Sequence, residues 1–144
     1  MKACYFADKW HLNRHRRPVF GATYKAMKFG PVPLEIYEMA KGEMYYLPEI
    51  GATEYPWRIS GYSLHRSGNA HPDLEELSDS DFRAIERGLR KSVSMNFDER
   101  TAATHGPDWQ AAELGYMRYE DMIDEDKREA LVPYLAENAR FMRL

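Results

Sequence analysis

Residues 30–33 read Gly-Pro-Val-Pro, and nothing else in the chain restricts its own backbone so tightly. Pro31 pushes Gly30 toward an extended conformation, and Pro33 does the same to Val32. Pro33 itself is acceptable as the first residue of a helix, where its missing N–H is harmless. Leu34, Ile36, Tyr37, Met39 and Ala40 follow at spacings that suit a helix, and Gly42 supplies its stop. The four residues therefore read as a stiff joint that fixes the entry angle of a helix. Its entropy cost is low, because proline and its predecessor have few conformations to lose.

On the N-terminal side, Ala3, Phe6, Ala7 and Trp10 fall at helical spacing within Lys2 to His15, and Arg14, Arg16 and Arg17 crowd the end where cations suit the helix dipole. Pro18 and Gly21 close that segment. Between Phe20 and Phe29, Ala22, Tyr24 and Ala26 alternate with more polar neighbours, the pattern of a short strand or extended segment that Gly30 and Pro31 would end. Glu43 to Pro72 reads as loop with a strand or hairpin arm at Trp57 to His65. Ser78 is a strong N-cap, with Asp79 and Asp81 in the first turn behind it. Phe82, Ile85, Leu89 and Val93 form one stripe, read as facing inward, and Arg83, Arg87, Arg90 and Lys91 decorate the other face. Further helices are predicted over Asp98 to Thr104, from near Asp108, and from Asp124 to Met142. In the last of these Leu131, Tyr134, Leu135 and Met142 would face inward, with a kink or fresh start near Pro133. The class is mainly α with a minor β portion, in one domain spanning residues 1–144. No repeat or linker divides the chain.

Charge is unevenly spread. Met1 to Lys41 carries eight Lys/Arg against three Asp/Glu, and the remainder carries twelve against twenty, so +5 and −8 give the net −3. A nucleic-acid reader is usually basic overall, so none is expected as a partner. No apolar run approaches the ~20 residues that cross a bilayer, and no signal-peptide pattern opens the chain. With a single cysteine, Cys4, read as buried filler, no internal disulfide or thiolate metal site can form. The chain is read as cytoplasmic.

Catalysis needs a constellation, and two candidates stand out. His11 and His15 lie four apart, the spacing of a two-histidine metal face, but the HExxH pattern is absent and both read as exposed helix-end residues. His105 sits at a helix end four residues before Trp109, placed to donate to the last carbonyls and stack on the indole, or to act as a general base. Neither has an evident nucleophile or orienting carboxylate nearby. A small hydrolase or metal enzyme using His105 or the His11/His15 pair is therefore the alternative to a binding protein. No enzyme activity, cofactor or metal is expected.

The order of motifs carries a resemblance. Tyr5, Phe6, Ala7 and Asp8 ("YFAD"), His11, Leu12, a Pro18-to-Gly21 turn, Tyr24, the Gly30–Pro33 run and Tyr37 are followed by "LSDSDFRAIERGL" and by Thr104, His105 and Trp109. This set, from Tyr5 to Trp109, resembles the SocA-like, or Panacea, antitoxin domain of phage-associated type II toxin–antitoxin systems. Residues 110–144 would be a helical extension. The resemblance implies a bacterial or phage-encoded protein that binds and silences a toxin encoded beside it. One family member resembles an adaptor that delivers its toxin to a AAA+ protease. Many relatives carry a further helix before "YFAD"; without it Phe6 and Trp10 would lack cover, and a homo-oligomer would hide them. Tyr24, Pro31, Val32, Pro33 and Tyr37 are the expected toxin contacts, aromatics on a rigid support, unless these residues only build the core. Tyr5, Phe6, Asp8, His11, Gly21, Gly30, Thr104, His105 and Trp109 are expected to be structural.

Overall fold

The computed structural model describes residues 1–61, 63–68 and 71–139. Helix α1 (Lys2–His15) runs through its centre and stops where Arg16 turns left-handed, φ 63°, its N–H donating to the Leu12 carbonyl. A hairpin follows, of β1 (Tyr24–Met27) and β2 (Gly30–Pro33). Then come α2 (Leu34–Lys41), an exposed second hairpin of β3 (Trp57–Ser60) and β4 (Ser63–Arg66), and α3 (Asp79–Val93). Next are α4 (Phe97–Thr104), α5 (Pro107–Ala111) and α6 (Arg128–Asn138). The mainly α class with a minor β portion is the observed one.

The Gly-Pro-Val-Pro run leads straight into a helix, as its sequence predicts, but it is more than a joint. It is a strand, paired antiparallel with β1 in the register Tyr24↔Pro33 to Met27↔Gly30. Gly30 opens this strand instead of ending one, and its φ of +99° closes the tight turn at Lys28 and Phe29. Prolines are tolerated here for a geometric reason. On its other side β1 bonds to the chain at 115–117, with the Ala26 N–H donating to Gly115 and the Met117 N–H donating to Tyr24. Tyr24 and Ala26 therefore aim their backbone groups away from β2. Their partners Pro33 and Pro31 occupy the alternate positions of an edge strand, where a missing N–H costs no ladder bond. Pro33 is the N-cap of α2 and keeps extended geometry (φ −73°, ψ 109°), so it is not the first helical residue. Gly42 ends α2 in the left-handed region, as the sequence predicts.

The principal helix contact is α1 against α3. It depends on a missing side chain. A Cβ on Gly88 would collide with the Ala3 carbonyl oxygen and lie 2.8 Å from the Ala7 nitrogen. Ala84 at 0% exposure shares that face. The inward face of α3 is thus Asp81, Ala84 and Gly88, and not the stripe of Phe82, Ile85, Leu89 and Val93, of which Ile85 is half-buried and the other three are exposed. Small residues win because the two helices meet backbone to backbone, leaving no room for phenylalanine or leucine between them. A capping box at Ser78 and Asp81 starts α3, a second at Asn96 and Glu99 starts α4, and Arg100 ties the corner by donating to the Ser92 and Met95 carbonyls at 2.7 and 2.6 Å.

The C-terminal segment completes the same core. Met117, Met122, Ile123, Leu131 and Leu135 pack with Tyr5, Phe6, Leu12, Ala22, Tyr24 and Ala26. Asn13 on α1 binds this segment directly, donating to the Met122 carbonyl at 2.9 Å and accepting from the Asp124 N–H at 2.7 Å. Asp124 precedes a 3-10 turn (Glu125–Lys127), and α6 begins only at Arg128, with Pro133 inside it rather than opening a new helix. Leu131 and Leu135 are buried and Tyr134 is half-buried, while Met142 lies outside the described residues. Cys4 is half-buried rather than fully enclosed.

Gly88→Ala is expected to destabilise the fold by about 2 kcal/mol in urea unfolding. Overpacking of a close contact outweighs the roughly 1 kcal/mol that alanine gains in helix propensity. A variant at least as stable as the parent would show that α1 and α3 need no such approach.

Candidate interaction surface

The motif residues gather inside the molecule, around α1. Asp8 is completely buried. Its Oδ1 accepts the backbone N–H groups of Val19 and Phe20 at 2.7 and 2.8 Å, and its Oδ2 accepts the hydroxyls of Tyr24 at 3.0 Å and Tyr119 at 3.2 Å. Tyr119 has one hydroxyl hydrogen, which it shares with the Ala22 carbonyl 2.9 Å away. Burial pushes the Asp8 carboxyl upward, and the four donors pull it only part of the way back. One turn earlier on the same face, Tyr5 donates to Asp108 Oδ2 at 2.6 Å, joined by Lys9 at 3.1 Å. Burial, then the Asp108 charge, raises the Tyr5 phenol.

One turn later, His11 is fully buried, which corrects its reading as an exposed helix-end residue. Its Nδ1 donates to the Arg17 carbonyl at 2.7 Å, so Nε2 is the acceptor for the Ser80 hydroxyl at 3.1 Å. Burial lowers its pKa and favours this neutral form. Both nitrogens are committed, and His15, exposed, packs at a tilt against the ring at 4.5 Å. Beside His11, Arg17 clasps Asp81 with two hydrogen bonds of 2.7 and 2.8 Å. Burial works upward on Asp81, but Arg17 and Ser78 outweigh it and hold the carboxyl at about 2.

His105 stacks on Trp109 at 3.8 Å and 15°, the arrangement its position predicts, and the indole donates to the Met27 carbonyl at 3.0 Å. None of His11, His15 and His105 lines the clefts of about 670 and 540 Å³. Among the described residues no group of three or more His, Cys, Asp or Glu is arranged to hold a metal. Thr104 is fully buried against Gly30, where an added Cβ would overlap the Thr104 hydroxyl and lie 2.7 Å from the Lys2 amine. The β2 strand and the "TAATH" motif are therefore two sides of one contact. Gly21, at φ +62°, makes the turn into β1.

Of the five residues expected as contacts, Tyr24, Pro31 and Pro33 are fully buried, Val32 is half-buried and Tyr37 is exposed. Tyr24 presents no surface, because its hydroxyl is spent on Asp8. The large uncovered apolar side chains lie elsewhere. Phe82, Leu89 and Val93 on α3 are 50%, 53% and 69% exposed, and beyond the end of α3 Phe97 meets Phe29 edge-to-face at 5.4 Å with both rings open to solvent. A smaller group surrounds α2, where Glu38 accepts the hydroxyls of Tyr45 and Tyr46 beside exposed Met44. Arg17, Ser80, Asp81, Asn13 and Tyr119 carry the frame without having been singled out for it. The only sequence signal for any of them is the Ser78–Asp81 capping pattern.

Asp8→Ala leaves two amides and the Tyr24 hydroxyl without their buried acceptor, so a loss of about 3–5 kcal/mol in chemical denaturation is expected. Asp81 has a lowered folded-state pKa, so its contribution is full above the ordinary carboxylate range and disappears as pH falls toward 2. Arg17→Gln should remove on the order of 1–2 kcal/mol at pH 7 and flatten the stability profile between pH 4 and 2. An unchanged profile would contradict the role given to this pair.

Among the described residues no helix is long and apolar enough to cross a membrane. Comparison with curated proteins and with solved structures finds no match. The family model described as "Antitoxin SocA-like, Panacea domain" matches residues 1–110, which hold α1 through α5 except the last residue of α5. Together with the motif residues that build the frame around α1, this match shows that the chain belongs to the SocA-like Panacea-domain antitoxin family.

Proposed function

We propose that the chain is an antitoxin that neutralises a protein toxin by binding it directly, without a cofactor, and that α3 supplies the principal contact. The family match over residues 1–110 supports a toxin as partner. The observation that carries the choice of surface is the row Phe82, Leu89 and Val93, with Phe97 beyond it, left uncovered on a capped helix whose other face is locked to α1. Apolar side chains on a rigid helix lose little entropy on docking, so they make effective anchors. A contiguous apolar row of this kind is the surface feature that marks a protein contact in a folded domain. Tyr37 and Val32 belong at most to the periphery, because the rest of their group is enclosed.

Co-expression with the product of the adjacent gene tests the proposal. Neutralisation and a co-purifying complex are expected, together with an unchanged toxin half-life, because occlusion requires no degradation. Leu89→Ser with Val93→Ser should leave thermal stability within about 1 kcal/mol, since both side chains are already solvated, and weaken toxin binding at least 100-fold. A neighbour that is harmless alone, or a double variant that binds as tightly as the parent, would sink this reading. Accelerated decay of the toxin would replace occlusion with delivery to a protease.

A further inference from the structure

On the flank of α3 opposite its apolar row, a cleft of about 540 Å³ opens between α1, α3 and the turn at 124–127. Five cations line it: Lys9 and Arg14 from α1, Arg87 and Lys91 from α3, and Lys127 from the turn. Asp124 is the one carboxylate in its wall, and Lys127 already pairs with it at 2.9 Å. Lys9 is engaged by Asp108. Among the described residues Arg14, Arg87 and Lys91 have no carboxylate within ion-pair distance. They are held by aromatic faces instead. The guanidinium carbons of Arg14 and Arg87 lie 5.8 and 5.5 Å from the Trp10 ring centre, and the Lys91 amine lies 4.6 Å from that of Phe6.

Two guanidinium groups from different helices thus share one indole. Contact with an aromatic face supports the delocalised cation while leaving its N–H edge available for two parallel bonds to a carboxylate. Holding three unpaired cations around one cleft costs Coulomb repulsion that an anionic occupant would relieve. The rest of the molecule decides which anion. The molecule as a whole carries a net −3, so a polyanion as long as a nucleic acid, which would extend beyond the cleft, gains no general attraction from it. A short run of carboxylates would not extend that far.

We infer that the cleft between α1 and α3, with Arg14 and Arg87 mounted on Trp10, binds an acidic segment of a protein partner, a run of aspartate or glutamate side chains. On the antitoxin reading the partner is the toxin, but recognition of the segment does not require that reading.

The probe is a hexaglutamate peptide titrated into the full chain at 50 mM salt, followed by NMR of the tryptophan indole and arginine Nε signals. Shifts centred on Trp10, Arg14 and Arg87 are expected, with affinity falling several-fold at 200 mM salt. Arg14→Gln with Arg87→Gln should weaken binding at least ten-fold, whereas Arg58→Gln with Arg66→Gln on the exposed hairpin should leave it within two-fold. Should the first double variant lose its fold, Arg14→Lys with Arg87→Lys keeps the charge and removes the planar fork, with a smaller loss expected. Absence of binding, equal losses in cleft and hairpin variants, or tighter binding of hexathymidylate than of the peptide would each overturn the inference. Peptide capture by a chain that neutralises no neighbouring protein would remove the antitoxin reading and leave the cleft. Neutralisation without peptide capture would do the reverse.

Discussion

The buried Asp8 carboxylate is the interaction on which the remaining structure depends. A single side chain on α1 receives the chain leaving that helix at Val19 and Phe20, the first strand at Tyr24 and the C-terminal segment at Tyr119. The Val19 and Phe20 amides and the Tyr24 hydroxyl would otherwise lack an acceptor, at a cost of roughly 1–3 kcal/mol apiece, while the Tyr119 hydroxyl also reaches the Ala22 carbonyl. The same helix face repeats the device a turn away in each direction, with Tyr5 on Asp108 and His11 between the Arg17 carbonyl and Ser80. This is the task that "YFAD" and the histidine three residues on share. Their positions put Tyr5, Asp8 and His11 on one stripe of a helix that must satisfy three separate segments at once.

That commitment separates framework from surface. Of the histidines that looked like chemistry, His11 has both ring nitrogens already used within the fold, and His105 is stacked on Trp109. The surfaces proposed for a partner lie on α3, which has one face against α1, an apolar row on one flank and a basic cleft on the other. The helix can bear both because its inner face is made of Ala84 and Gly88, residues that spend no side-chain volume on packing.

Local signals in the sequence were sufficient for what is locally determined. The first helix, the Ser78 cap, the glycine stop after α2, the hairpin near Trp57 and the His105–Trp109 stack all follow from neighbours within a few residues. Two features were not legible, for different reasons. The Gly-Pro-Val-Pro run reads as a helix entry because prolines argue against a strand. Only the pairing of β1 with residues 115–117 reveals that the two prolines fall at edge positions that need no N–H. The stripe on α3 reads as core because apolar periodicity does not reveal which face a neighbouring helix will take. A second face of alanine and glycine outcompeted it by permitting closer approach. Tyr24 misleads in the same way, since a tyrosine on a rigid hairpin resembles an anchor until its hydroxyl is found on a buried carboxylate.

Hydrogen–deuterium exchange of the free chain and of its complex with the adjacent gene's product tests most directly whether the family motifs frame the molecule while α3 meets the partner. The account predicts slowed exchange over residues 82–97 on complex formation and little change from Gly30 to Tyr37. Protection confined to Gly30–Tyr37, with α3 exchanging as it does in the free chain, would contradict it.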